Sequence, residues 1–280
     1  MLISEAYKYY FEDKKLLGYS PYTLKAYGIQ SNLLIRYFGD IKIEDVEYST
    51  LKEYLISLTH LKPSSLGHRI RHIRSFFYFL LDEGLISKNP ASKLREPKIG
   101  SRIPKFLTEE EIELIRDACI TPLEHGLVEF LYSTGSRIGE VYKLNVEDIN
   151  FENKSLIVNG KGDKEREIYF TTKCHIWLNK YLSTRKDNGD HALFLTERNP
   201  HRMSIGQMRY IVKRIAKRAE INNTVYPHKY RHSFATHALN NYAPMEIIQS
   251  LLGHAKASTT AIYAQLCGQR RKEMYQRYIR

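Results

Sequence analysis

Pro227-His-Lys-Tyr-Arg231-His-Ser-Phe-Ala-Thr-His237 opens with a proline and then sets His228 and Arg231 three residues apart, with His232 four after His228. Proline suits the first turn of a helix, where its missing N–H would have no intrahelical partner anyway. Residues three or four apart share one helical face. The stretch therefore predicts a helix that presents a guanidinium and imidazoles side by side. Two imidazoles at this spacing also match a pair of metal ligands, but no acid or cysteine nearby completes a zinc set, so no metal is expected. A capped helix start with partly buried histidines is the plainer reading of the same residues.

Working outward, three further signatures carry chemistry. Toward the C-terminus, Leu251-Leu-Gly-His254 is followed nine residues later by Tyr263. One of 21 tyrosines is a weak candidate by itself. A phenol ionising near pKa ~10 needs neighbouring cations or a base before it can act as a nucleophile at neutral pH. Toward the N-terminus, Ser133-Thr-Gly-Ser-Arg137-Ile-Gly-Glu140 breaks a helix at glycine and restarts it at arginine, an arrangement that can aim a guanidinium at an anion. An Arg137–Glu140 pair one turn apart explains the same residues without any ligand. Between them, Gly160-Lys161-Gly162 forms a turn joining strands expected over 155–159 and 165–170. Lys164 and Arg166 stand close enough to Lys161 to compete for any role it has.

The rest of the chain is helical. Ser20-Pro21 starts a helix whose apolar positions Leu24, Tyr27, Ile29, Leu33, Leu34 and Tyr37 run to Gly39, and shorter helices follow over about 50–58 and 65–82. The last places Leu66, Ile70, Ile73, Phe77 and Leu80 on one face, with Arg71, Arg74 and Tyr78 opposite. Those cations are either a solvated face or phosphate contacts. Pro90, Pro97, Gly100 and Pro104 punctuate 89–105, the best linker in the sequence. Thr108 with Glu111 then forms a capping box, and Leu107 with Ile112 a hydrophobic staple. Near the other end Ser204 and Gln207 cap a helix with Met208, Ile211, Ile215 and Ala219 inside. Arg209, Lys213, Arg214, Lys217 and Arg218 lie outside, and five cations in ten residues favour contact with phosphates over mere solvation.

Composition bounds the function. The chain has 280 residues, 42% of them hydrophobic and 26% charged, and carries 43 Lys+Arg against 31 Asp+Glu, a net +12. A basic excess of this size points to a polyanion, with nucleic acid ahead of a membrane surface. Both parts share it, since residues 1–100 hold 15 basic and 11 acidic side chains. The longest apolar run, 76–81, is far too short to span a bilayer. No signal peptide precedes it, and three scattered cysteines argue against a disulfide framework, so a cytoplasmic protein is expected. No P-loop, dinucleotide fingerprint or acidic two-metal cluster is present, so chemistry on nucleic acid would proceed without ATP or metal and no cofactor is expected.

Taken in order, Thr134-Gly-Ser-Arg137, Gly160-Lys161-Gly162, His228-x-x-Arg231-His-Ser-Phe-Ala-Thr-His, Leu252-Gly-His254 and Tyr263 resemble the tyrosine recombinase (phage integrase) family. Ser20-Pro-Tyr-Thr-Leu-Lys-Ala-Tyr27 and Asn89-Pro-Ala resemble its N-terminal core-binding domain, and Leu107-Thr-Glu-Glu-Glu111 resembles the start of its catalytic domain. The chain begins directly with the core-binding segment, similar to compact Xer-type members. The resemblance implies a mainly α protein with a small β-sheet: a helical core-binding domain over 1–97, a linker over 98–105, and a mixed α/β catalytic domain with a C-terminal tail over 106–280.

The resemblance also implies the chemistry. Tyr263 would attack a DNA phosphodiester to give a 3′-phosphotyrosyl bond and a free 5′-hydroxyl, which a partner strand's hydroxyl would reverse. Arg137 and Arg231 would hold the non-bridging oxygens, and His254 would add a hydrogen bond. Lys161, with Lys164 as the competing choice, would protonate the leaving oxygen. His228 would help take the proton from Tyr263, and Glu140 would support the site from behind. Ser136 stands where the family usually has an apolar residue. Double-stranded DNA is the implied partner, contacted through Arg71, Arg74, Arg209, Lys213, Arg214 and Lys217. A tetramer on DNA would form through the tail, residues 265–280, with room for a second recombinase or an accessory protein. The implied function is site-specific recombination, in chromosome-dimer resolution or in integration or excision of a mobile element. Two other readings stay open. One is a non-catalytic regulator using 230–239, the Asn240-Asn241 turn and 244–252 as a helix-turn-helix. The other is a topoisomerase-like enzyme using the same covalent step.

Overall fold

The computed structural model describes residues 1–98, 100, 105–160, 165–186, 189–253 and 276. The chain divides into two compact units, Met1–Ser101 and Arg102–Arg280.

The first unit is built from four helices: α1 (Ile3–Leu16), α2 (Pro21–Phe38), α3 (Tyr48–Ser57) and α4 (Pro63–Asp82). The Ser20 hydroxyl accepts a hydrogen bond from the Thr23 N–H, and Pro21 occupies the first turn of α2, as the Ser-Pro pair requires. On α4 the expected division holds. Ile70, Ile73, Phe77 and Leu80 are buried, while Arg71, Arg74 and Tyr78 face out. The apolar face of α2 is narrower than its sequence suggests. Ser31 and Leu34 are buried with Tyr27 and Ile35 packed beside them, but Ile29 and Tyr37 stay half exposed. Ile29 lies opposite the 3.6-residue stripe through 27, 31 and 34, while Tyr37 lies at its edge and packs on Tyr54.

Within this unit His72 is buried beside Tyr7, Tyr10 and Tyr27, and neither ring nitrogen finds a hydrogen-bond partner among the described residues. The Tyr7 and Phe76 rings stack at 3.9 Å. Burial and the nearby Arg69 charge push the His72 imidazole down to about 4.

The second unit begins with α5 (Glu109–Asp117), where Thr108 and Glu111 make the reciprocal capping bonds. Next come α6 (Pro122–Thr134) and α7 (Ile138–Lys143). A three-stranded antiparallel sheet follows, with β1 (Ile149–Asn150), β2 (Ser155–Asn159) and β3 (Glu165–Tyr169) in sequence order and Ser155 opposite Tyr169. The chain continues through α8 (Thr172–Thr184), α9 (Ile205–Arg218), α10 (Pro227–Asn240) and α11 (Met245–Leu252).

The core forms around α6, which is buried on nearly every side against α8, α9 and α10. Its Leu127, Phe130 and Leu131 are fully buried, and burying one such side chain contributes about 2 kcal/mol. Among the described residues no helix is long and apolar enough to cross a membrane.

An unfolded histidine titrates near 6.5, whereas His72 in the folded unit stays neutral down to about 4. Its contribution is therefore whole above pH 6.5 and is lost as the pH falls toward 4, by at most about 3 kcal/mol. His72→Phe should flatten the acid limb of stability over that window, read as urea midpoints from pH 4.5 to 7 against wild type. An unchanged slope would show that another group governs the acid limb.

Candidate active site

Two helix ends frame the site, and both turn on a left-handed glycine. Gly135 ends α6 at φ 59°, and Gly253 ends α11 at φ 63°. Each also lacks room for a side chain. A Cβ on Gly135 would lie 2.8 Å from Phe234 Cδ1 and 3.0 Å from Leu252 Cδ2, and one on Gly253 would lie 2.9 Å from Arg166 Cδ. The chain leaves Gly135 through Ser136 to Arg137. It leaves Gly253 directly to His254.

Arg231, only 2% exposed on α10, joins these two ends. Its Nη1 donates to the Gly135 carbonyl at 2.8 Å and its Nη2 to the Leu252 carbonyl at 2.6 Å. Arg137 reaches the same helix end from the other side, with Nη2 3.3 Å from the Gly253 carbonyl. Two of the arginines singled out in the sequence are thus bonded to neighbouring carbonyls of one helix terminus. The last carbonyls of a helix have no intrahelical donor and carry the negative end of its dipole, so guanidinium groups are natural partners there.

Glu140 stands behind them, buried to 7%. It accepts from the Arg137 backbone N–H at 2.8 Å and from Arg137 Nη1 at 2.8 Å, so the pair expected one turn apart on α7 exists. The Arg137 side chain nevertheless keeps 31% of its surface exposed, enough to meet a ligand as well. Burial raises the Glu140 carboxyl, but hydrogen bonds from Arg166 and from the backbone and side chain of Arg137 outweigh it. The net shift is downward and the group is a carboxylate at neutral pH.

His228 sits in the first turn of α10 with its ring still reaching solvent. Partial burial, then the charges of Arg231, Arg137 and Arg209, hold its imidazole below the ordinary value, with Glu140 opposing. It is therefore neutral, the form able to accept a proton. His232, one turn on with ring centroids 6.1 Å apart, is pushed down to about 4 by burial, His228 and Arg231. The helix is pinned at its far side by Ser233, whose Oγ donates to the Lys229 carbonyl at 2.8 Å and accepts from the Leu107 N–H at 2.7 Å. His237 closes the end through a 2.7 Å bond to the Tyr132 hydroxyl. Lys161, Lys164, His254, Tyr263 and the tail at 265–280, Gln276 apart, lie outside the described residues.

The basic surface of α9 splits into two rows. Arg209, Lys213 and Lys217 are exposed, and the charge of Arg209 reaches His228. Arg214 and Arg218 instead turn back onto the buried carboxylate of Glu124, Arg214 at 2.7 Å. In the first unit Arg74 is exposed, whereas Arg71 is 2.8 Å from Glu96 and half exposed. Ser136 is buried and its hydroxyl has no partner among the described residues, so its departure from an apolar residue bears on packing.

Arg166, which the sequence groups with the cations near Lys161, has internal partners that the sequence does not reveal. On β3 it shares the inward face with Ile168, between the outward Glu165 and Glu167. A cation on the inward alternation of a strand demands an internal carboxylate, and here Nη1 and Nη2 meet Glu140 at 3.0 and 2.9 Å while Nε donates to the Leu251 carbonyl at 2.8 Å.

Residues 105–270 match the phage integrase family. The chain is 36% identical over 273 residues to tyrosine recombinase XerC of Oceanobacillus iheyensis, covering 91% of this chain and 89% of that relative. Among solved structures, XerA recombinase shares 26% identity at a TM-score of 0.59 across 99% of both chains. A lambda integrase dimer bound to a COC′ core site has the same fold at a TM-score of 0.78 and 19% identity, over 92% of this chain and 97% of that one.

Removing the carboxylate would leave two guanidinium groups with no acid between them. Glu140→Ala should lower unfolding stability by about 3 kcal/mol or more, and Glu140→Gln by less, measured by urea denaturation. Equal stability of Glu140→Ala and wild type would show that the carboxylate is not holding the site together.

Proposed function

The chain belongs to the phage integrase family and is a tyrosine-type site-specific DNA recombinase, and from that premise we propose how its residues divide the work. The observation that carries the assignment is the convergence of Arg137 and Arg231 on the adjacent carbonyls of Gly253 and Leu252, beside a neutral His228. Two guanidinium groups side by side suit the two non-bridging oxygens of a phosphodiester, where charge accumulates in the transition state.

Tyr263 Oη attacks the phosphorus, its proton passing toward His228. The bond from phosphorus to the 5′ oxygen breaks, and Lys161 protonates that oxygen as it leaves. The products are a 3′-phosphotyrosyl bond and a 5′-hydroxyl. The second step is the reverse, with the 5′-hydroxyl of a partner strand attacking and tyrosine leaving. One phosphate ester replaces another throughout, so no energy source is consumed. His254, next after Gly253 in the sequence, adds a hydrogen bond to the same phosphate.

Duplex DNA is the substrate. Residues 1–97 act as the core-binding domain, 98–105 as linker, and 106–280 as the catalytic domain. Arg74, Arg209, Lys213 and Lys217 are the better phosphate contacts, since Arg71 and Arg214 must first leave Glu96 and Glu124. The whole-length similarity to an Xer recombinase favours chromosome-dimer resolution over integration or excision of a mobile element. The enzyme would work in the cytoplasm as a tetramer on DNA, joined through the tail, with a second recombinase or accessory protein as further partners.

The regulator reading loses support from α10 and α11. Tyr230, Ala235 and Thr236 are wholly buried, and the α11 sequence contains no cation, which suits neither helix to groove recognition.

The test is covalent trapping. Wild-type protein mixed with fragmented source-genome DNA and stopped with detergent should yield protein–DNA adducts whose ends define the site, and Tyr263→Phe should yield none. Tight binding without adducts from wild type would overturn the enzymatic assignment. On the recovered site, Lys161→Ala should slow adduct formation by about 10²-fold or more. A bridging 5′ sulfur, which needs no proton to leave, should restore the rate. Rescue of Lys164→Ala instead would move the general acid to Lys164.

A further inference from the structure

Arg166 belongs to none of the roles above, yet it makes three hydrogen bonds to the site's framework, as many as Arg137. Its three guanidinium nitrogens are all committed inside the protein: Nη1 and Nη2 to the two oxygens of Glu140, and Nε to the Leu251 carbonyl. The side chain is 10% exposed. Its stem passes where a Cβ on Gly253 would lie, 2.9 Å from Cδ and 3.1 Å from Nε. Glycine at 253 therefore serves both the left-handed turn and the passage of this arginine.

We propose that Arg166 is a positioning residue for strand cleavage: it locks strand β3, the Glu140 carboxylate and the carbonyl end of α11 into one register, and thereby sets the two arginines that hold the phosphate. The proposal rests on the recombinase reading. Glu140 fixes Arg137 through the backbone and the side chain, and its remaining acceptor positions are filled by Arg166. The end of α11 supplies the carbonyls of Leu252 and Gly253, to which Arg231 and Arg137 are bonded. Arg166 holds the preceding carbonyl, that of Leu251. One planar fork thus spans an acid on α7 and a carbonyl on α11. A lysine offers three N–H donors from a single nitrogen and cannot reproduce the spacing of this planar fork.

Loss of the fork should loosen the α11 end relative to Glu140 without removing any group that touches DNA. A misplacement of the order of 1 Å in a positioned group is enough to cost about 10²-fold in rate.

The experiment compares wild type, Arg166→Ala and Arg166→Lys on the DNA site recovered by trapping. Three quantities are read: the single-turnover rate of Tyr263 adduct formation at saturating DNA, the DNA Kd, and the melting temperature. The expected result is a rate about 10²-fold down for Arg166→Ala and at least tenfold down for Arg166→Lys, with Kd within threefold of wild type. The loss should persist with the bridging 5′-sulfur substrate, because leaving-group protonation is not the step disturbed. Arg166→Lys keeps the charge and guards against a variant that fails to fold. If Arg166→Ala melts below the assay temperature, the lysine variant alone decides.

Adduct formation by Arg166→Lys within threefold of wild type would overturn the proposal, as would full rescue by the sulfur substrate. If wild type itself makes no Tyr263-dependent adduct, it is the recombinase reading that fails.

Discussion

The carbonyl end of α11 is the constraint on which the site depends. Three successive carbonyls, those of Leu251, Leu252 and Gly253, accept hydrogen bonds from Arg166, Arg231 and Arg137, which come from β3, α10 and the start of α7. Three cations gathered within one small volume repel one another, and a polar site of this kind holds together only where something negative is built into it. The helix end supplies part of that charge through its unpaired carbonyls and dipole, and Glu140 supplies the rest. A phosphate arriving there meets groups already oriented, which is the condition for electrostatic stabilisation without reorganisation.

Glycine enters this argument twice and for the same two reasons. Gly135 and Gly253 both adopt left-handed backbone that a side chain would strain, and both lie against a neighbour that a Cβ would strike. In the sequence Arg137 follows the first glycine by two residues and His254 follows the second directly. Arg231 then bonds to both helix ends, so the spacing between the turns is fixed by a single buried side chain. Behind it α6, buried on nearly all sides, gives one of these turns a rigid support.

Much of this was legible in the sequence because the relevant signals are local. The caps at Ser20, Thr108 and Ser204 fix helix starts through bonds spanning three residues, and the inward face of α4 follows from simple periodicity. The pairing of Arg137 with Glu140 is likewise a one-turn contact. What was not legible depends on contacts between distant segments. Tyr37, at the edge of the α2 stripe, is placed by its contact with Tyr54 of α3. Arg166 lies in a five-residue strand flanked by glutamates, where alternation is too brief to single out an inward cation, and its partners are 26 and 85 residues away. Arg214 and Arg218 read as a basic surface with their neighbours, although Glu124, some 90 residues earlier, holds both.

That last pair shows why a net charge of +12 is a poor measure of a DNA-binding surface. Arg116, Arg166 and Arg231 have their guanidinium groups bonded inside the fold, and the partly exposed Arg214 and Arg218 bond to the buried carboxylate of Glu124. Each has a planar fork that can satisfy two acceptors at once, which is why arginine and not lysine fills these places. The outer row of α9 shows the opposite preference, with Lys213 and Lys217 beside Arg209 and all three exposed. A strongly hydrated ammonium on a flexible stem is suited to a diffuse phosphate field and gains little from burial. Arginine builds the rigid site, and the exposed cations bring the polyanion to it. The two tasks call for different side chains because one requires fixed geometry and the other only charge.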